Sequence, residues 1–263
     1  MQITLYTSPT KIFKEIEILR EKKGREKEAL KLIDQALEIG HDWIIKLFWE
    51  KVLTYQHLVM NEDAKPDEER DRVAREKALA QMIFWTQKAG YYIDKFHLDY
   101  WQSRKHRFLG RAYDYQGKFK KSVIEYKKAI PLAKKDPDYI EKKYPRWLEL
   151  QAFLSYSLIM SGNINEGFKL AEKTYRDFDL TKEGKFLKTK DYTTWVIWKT
   201  GIPVRTINAF IQKKITFDRK RMVKWLEFAG VDLYPDKKVK VWSDFSFRRA
   251  EIEAVNNKLG GLS

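Results

Sequence analysis

Catalysis and metal binding need particular side chains at particular spacings, and histidines are the first place to look for both. The chain has four, His41, His57, His97 and His106, and no two stand at the i, i+4 interval that sets a pair of ligands on one helix face. It has no cysteine, which removes thiolate metal sites, disulfides and a cysteine nucleophile. No glycine-rich loop ends in Lys-Ser or Lys-Thr, and no Gly-x-Gly-x-x-Gly follows a strand-like run, so phosphate cradles have no counterpart. The carboxylates Glu68 and Glu69 sit in the charge-dense stretch NEDAKPDEERD, where solvation accounts for them without acid/base work. The expectation is a protein that is not an enzyme and holds neither cofactor nor metal.

Binding chemistry is better represented. Arg104, Arg107, Arg111 and Tyr115 stand at i, i+3, i+7 and i+11, which projects all four to one side of a helix. Three guanidiniums on one face repel one another unless an anion compensates, and each offers a planar fork suited to carboxylate or phosphate. That anion is either a ligand or the acidic residues of a neighbouring helix. A second basic group comprises Lys188, Lys190, Arg219, Lys220, Arg221 and Lys224, interleaved with Phe217 and Trp225. The net charge of +15 is borne entirely by the later part of the chain: residues 1–100 carry −1, residues 101–180 carry +7 and residues 181–263 carry +9. This asymmetry points to an acidic partner or to a lysine-rich solvated surface.

The elements that must position these residues read as helices. Hydrophobic residues make up 43% and aromatics 14% of 263 residues, enough apolar surface to fold, while Gly 12 and Pro 7 are too few for a turn-rich β architecture. The N-terminal stretch lacks the apolar run and cleavage site of a secretory signal. The most apolar stretch, from Trp43 to Met60, is interrupted by Lys46, Glu50, Lys51, Gln56 and His57, short of the ~20 apolar residues of a membrane span. A cytoplasmic protein without membrane association is expected.

Hydrophobic periodicity then identifies repeated units. In Arg107 to Ala133, Leu109, Gly110 and Tyr113 form one helical stripe and Gly117 interrupts. Phe119, Ser122, Val123, Tyr126, Ala129 and Ile130 form the next, so two amphipathic helices meet at a glycine turn. Weaker copies turn at Gly24, Gly162 and Gly201, and one more hairpin runs from Trp43 to Met60 and from about Val73 to Tyr91 across the acidic stretch. The uneven spacing of the glycines places insertions around Asp136 to Tyr144 and Asp177 to Lys190. Beyond Phe217, helices over Arg219 to Ala229 and Arg248 to Leu259 flank a turn and short alternating run from Tyr234 to Trp242.

The unit resembles a tetratricopeptide repeat (TPR), with Leu109, Gly110, Tyr113, Gly117, Phe119, Ser122, Tyr126 and Ala129 matching that family's pattern, and His106 and Lys134 standing where its Trp and Pro usually lie. The resemblance implies an all-α fold: a right-handed α-α superhelix of about five TPR-like hairpins over residues 1–216, closed by a helical cap over residues 217–263. First helices of successive repeats line the concave face of such a solenoid. The family's carboxylate clamp falls at Arg107 and Arg111; its accompanying Asn has no counterpart, which leaves general anion recognition. The neighbouring hairpins add Lys46, Trp49, Leu53 and Gln56 on one side and Phe153, Tyr156 and Met160 on the other. Trp43, Trp85, Trp147 and Trp225 are expected in the core.

The function expected is a scaffold that binds an acidic or carboxylate-bearing peptide or protein in this groove through Lys46, Trp49, Gln56, Arg104, Arg107, Arg111, Tyr115, Phe153 and Tyr156. The alternative is nucleic-acid binding, to RNA or DNA, through Lys188, Lys190, Arg219, Lys220, Arg221 and Lys224.

Overall fold

The computed structural model describes residues 8–39, 44–236 and 238–261. Among these, every regular element is helical: thirteen α-helices and two short 3₁₀ turns, with no strand. The chain divides after Tyr115 into two units.

The first unit holds α1 (Pro9–Glu21), α2 (Glu26–Ile39), α3 (Ile44–Asp63), α4 (Arg72–Lys95) and α5 (Gln102–Tyr115), each packed on the helix before it. Ser8 caps α1, accepting from the Lys11 amide at 3.3 Å, and Pro9 opens the first turn, where its missing N–H costs nothing. Gly24 turns the chain at φ +88, a conformation that a side chain would strain. Ile12, Ile16 and Leu19 then meet Ala29, Leu32, Ile33 and Ala36. The expected acidic connection joins α3 to α4: the Arg70 guanidinium donates to the carbonyls of Glu62, Asp63 and Lys65 at 3.1–3.2 Å, and Asp71 caps α4. Phe48, Trp49, Val52 and Val59 of α3 pack with Leu79, Met82 and Ile93 of α4 and Phe108 of α5.

The second unit holds α6 (Phe119–Leu132), the short α7 (Pro137–Lys142), α8 (Arg146–Met160), α9 (Ile164–Leu180), α10 (Lys182–Lys190), α11 (Tyr192–Gln212), α12 (Arg219–Val231) and α13 (Ser246–Gly260). Between α8 and α9, Gly162 at φ +100 closes a left-handed cap: its N–H donates to Ile159 at 3.1 Å and that of Asn163 to Leu158 at 2.9 Å. Gly167 matters for a different reason. A Cβ there would lie 2.6 Å from the Ser155 carbonyl and 2.9 Å from the Ile159 amide, so α9 crosses α8 at backbone contact. The expected insertions are short helices, α7 and α10. Gly117 keeps its turn conformation at φ +69 between α5 and α6, at the division between the two units.

One expectation needs correction. Gly201 is not a turn but lies in the middle of α11, a 21-residue helix. Its missing side chain admits Arg205, whose Nη1 would lie 2.6 Å from a Cβ at that position. The described residues of the run from Tyr234 to Trp242, 234–236 and 238–242, are turns and irregular backbone, and the Trp242 amide donates to Thr193 Oγ1 at 3.1 Å. The boundary expected at residues 216/217 falls inside the second unit, where α12 and α13 pack on α11 and share its core through Met222, Leu226, Ile252 and Val255. Trp85, Trp147 and Trp225 are partly buried against the cores, while Trp43 lies outside the described residues.

Candidate functional site

The arginine stripe lies on α5, in the first unit, and its guanidiniums rest on aromatic faces. Arg104 sits 4.7 Å from the Trp101 ring centroid and Arg107 4.5 Å from that of Phe108. Arg111 donates to Tyr115 Oη at 2.6 Å and to Asp114 Oδ2 at 3.3 Å. Arg107 and Arg111 are buried and Arg104 is half-buried. Burial raises the Tyr115 hydroxyl above its ordinary pKa, outweighing the opposite pull of Arg111. This chemistry is an internal ladder of cation–π and charge-assisted contacts.

Of the other expected groove residues in this unit, Trp49 is fully buried and stacks on Phe108 with centroids 5.1 Å apart. Gln56 is buried, with Nε2 3.6 Å from Met60 Sδ, and Lys46 is exposed, 5.9 Å from the Phe13 ring. Trp49 is thereby joined to the α5 stripe; the contacts of Gln56 and Lys46 run to other parts of α3 and α1. In the second unit, Phe153 is buried against Tyr126 with centroids 5.8 Å apart, and Tyr156 meets the edge of Phe119.

The second basic group differs in kind, because all six residues are exposed. Arg219, Lys220, Arg221 and Lys224 stand on the first two turns of α12, and Arg219, Lys220 and Lys224, with Val223 and Glu227, line a shallow cleft of about 430 Å³. Arg221 pairs with Glu172 and lies 5.1 Å from the Phe168 ring. Arg219 reaches the Gly260 carbonyl at 3.4 Å, and Lys224 lies 5.7 Å from the Phe228 ring. No acidic residue occupies the first turn of α12. Asp218 caps the helix, its Oδ1 accepting from the Arg221 amide at 3.1 Å, and the three consecutive cations behind that carboxylate still favour an incoming anion at the positive end of the dipole. Further along α12, Phe228 and Val231 are exposed, so the outer face passes from basic to apolar. Lys188 and Lys190 end α10; Lys188 lies 4.2 Å from the Trp195 ring.

Sequence reasoning missed one charged cluster altogether. Lys199 of α11 is buried, its Nζ 2.8 Å from Asp179 and 2.7 Å from Asp232, with the Tyr175 and Trp195 rings 4.8 and 4.5 Å away. Tyr192 Oη donates to the Asp232 carbonyl at 2.9 Å. Burial raises the Asp232 carboxyl against the pull of Lys199, raises Tyr175, and pushes Tyr192 up to about 12 with help from Asp232. With both carboxylates engaged, the ammonium joins α9, α11 and the end of α12 rather than offering a free nucleophile. The detectable signal was a lone lysine inside the apolar run from Trp195 to Val204. A second such lysine, Lys51 of α3, pairs with Asp34 at 2.5 Å beneath the Trp85 ring.

Among the described residues no three His, Asp or Glu gather as a metal site, and no helix is long and apolar enough to cross a membrane. His41 lies outside the described residues, and His57, His97 and His106 sit on α3, after α4 and on α5. No family model, no curated protein and no solved structure matches the chain.

Proposed function

We propose that the chain is a TPR-like scaffold of helical hairpins, stacked as an α-α superhelix and working in the cytoplasm, that binds an acidic protein segment without catalysing a reaction. The supports for the fold are the glycine turns at Gly24 and Gly162, the close crossing at Gly167, and the packing of successive helices within each unit. For localisation the support is a cysteine-free sequence.

The observation that carries the binding reading is the start of α12, where Arg219, Lys220 and Arg221 follow the capping carboxylate of Asp218 and, although Arg221 pairs with Glu172, all three cations and Lys224 stay exposed. Phe228 and Val231 continue the same helix as exposed apolar side chains, so the surface fits a segment with an acidic part followed by an apolar part. The Arg107 and Arg111 positions have less to offer an outside ligand, since both are buried. Nucleic acid is the second reading, favoured by residues 116–263, which hold 31 Lys+Arg against 18 Asp+Glu, nearly all of the chain's net charge. Segregation of the cations from the exposed Phe228 and Val231, instead of alternation with stacking rings, favours the protein segment.

Fluorescence anisotropy with a labelled peptide of four glutamates followed by leucines, against a labelled single-stranded oligo-U, separates the readings. Peptide binding weakened about tenfold by Lys220→Glu with Lys224→Glu is expected. Tighter binding of the oligonucleotide, with affinity falling steeply as salt rises, would transfer the function to nucleic acid.

A further inference from the structure

The outer face of α4 carries a pattern that nothing above uses. Phe84, Lys88, Tyr91 and Lys95 stand at i, i+4, i+7 and i+11, which aligns them on one stripe of the helix. The rings are open to solvent, Phe84 at 50%, Tyr91 at 60% and the adjoining Phe96 at 54%. They continue an aromatic chain inward, Phe84 against Trp85, Trp85 against Phe48 and Phe48 against Tyr92, with centroids 5.2–5.3 Å apart. Phe84 is thus supported from behind by packed rings, a preorganised platform and not a mobile side chain.

The lysines have no counter-charge. Among the described residues neither Lys88 nor Lys95 has a carboxylate within ion-pair distance. Lys88 Nζ lies 4.9 Å from the Trp85 centroid and 5.5 Å from that of Phe48, and Lys95 Nζ 5.8 and 5.6 Å from those of Tyr91 and Phe96. Asp94, beside Lys95 in sequence, is held by Lys105 at 2.8 Å and by Gln102 at 2.9 Å. Seven residues of helix separate the two ammonium groups, about 10 Å of rise.

We infer that this face of α4 docks an amphipathic helix of a partner protein, whose acidic residues recur every seven positions against Lys88 and Lys95 and whose apolar residues between them cover Phe84 and Tyr91. The heptad spacing follows from pairing helix against helix: a partner with the same rise per residue meets both lysines at an interval of seven and covers the rings between them. A second copy of this chain fits poorly, because a two-fold contact would set these lysines against their own counterparts. Nucleic acid fits poorly as well, since residues 1–115 hold 21 Lys+Arg against 19 Asp+Glu and supply little attraction to a phosphate chain. The inference stands apart from the α12 proposal, and either can fail alone.

The test uses the full chain and a labelled helical peptide of about 21 residues with glutamate at every seventh position and leucines between. Expected are saturable binding, at least about tenfold loss on Lys88→Glu with Lys95→Glu, and a similar loss on Tyr91→Ala. A peptide carrying lysine in place of each glutamate should recover binding to the charge-reversed variant alone, which mere structural damage cannot produce. Lys220→Glu with Lys224→Glu on α12 should leave this peptide's affinity unchanged. Absence of binding up to about 1 mM, equal affinity for the charge-reversed variant, or self-association abolished by Tyr91→Ala would each overturn it.

Discussion

The two units differ in where their arginines lie: α5 of the first buries two of them, and the start of α12 in the second exposes two. In the first, three cations turn inward: Arg107 and Arg111 are buried over aromatic rings and Lys51 lies beneath Trp85 beside Asp34. In the second, Lys199 is buried between two aspartates and Arg248 is buried beside Glu251, while a run of exposed cations stands at the start of α12. A guanidinium set over a ring and paired with a neighbouring carboxylate adds rigidity and leaves little for a ligand. An exposed cation at the positive end of a helix destabilises its own element slightly and gains when an anion arrives. Buried and exposed cations therefore serve different ends.

The largest expected effect tests how tightly each unit is packed around its helical glycines. Gly167→Ala should cost about 3 kcal/mol, because the new methyl meets the backbone of α8. Gly90→Ala on α4 meets only the flexible Lys105 side chain at 3.2 Å, so its midpoint in urea should stay within about 1 kcal/mol of the parent. Equal losses would remove the claim that α8 and α9 touch through their backbones.

The buried lysines come next. Lys199→Met should destabilise by about 3 kcal/mol, since it strands Asp232, whose side chain is only 16% exposed. Lys51→Met should cost about 1 kcal/mol, because Asp34, 56% exposed, can return to water. Denaturant titration of the two variants side by side would reverse the assignment if Lys51→Met proved the more damaging.

On α12 the expected sign changes. Lys220→Glu places an acidic residue in a first turn that has none and should stabilise the protein by about 0.5 kcal/mol while weakening the acidic peptide. Joint loss of stability and binding would mean that the cation is structural.

The smallest effect belongs to the first unit, since all four histidines precede residue 107. Burial holds His57 below its ordinary value of 6.5, against the opposing pull of Glu21 3.9 Å away. On acidification the unfolded chain takes up this proton first, so stability should fall as pH drops through about 6.5. His57→Gln should flatten the urea midpoint between about pH 7.5 and 5.5; an unchanged slope would assign the acid sensitivity elsewhere.

The turns show why some of the fold was legible and some was not. Gly24, Gly117 and Gly162 adopt positive φ where a glycine search expects a turn. Among the described residues the same left-handed cap also occurs without glycine. His97 at φ 53 ends α4, with the Leu98 amide donating to Ile93 at 2.9 Å, and Lys214 at φ 53 ends α11, with the Ile215 amide donating to Phe210 at 2.9 Å. Nothing in the residue type marks those ends. Gly201 misled in the other direction, since glycine also serves a helix interior where a guanidinium needs room.

The amino-acid sequence by itself determined the helical class, the amphipathic stripes and the glycine turns, because these depend on side-chain period and backbone freedom within a few residues. Which cations would be buried, that Lys199 would find Asp179 and Asp232, and that Arg219, Lys220 and Lys224 would stay exposed were decided only by the tertiary structure. The physical reason is that the free energy of a charge depends on the solvent and partners around it, and residues distant along the chain supply both.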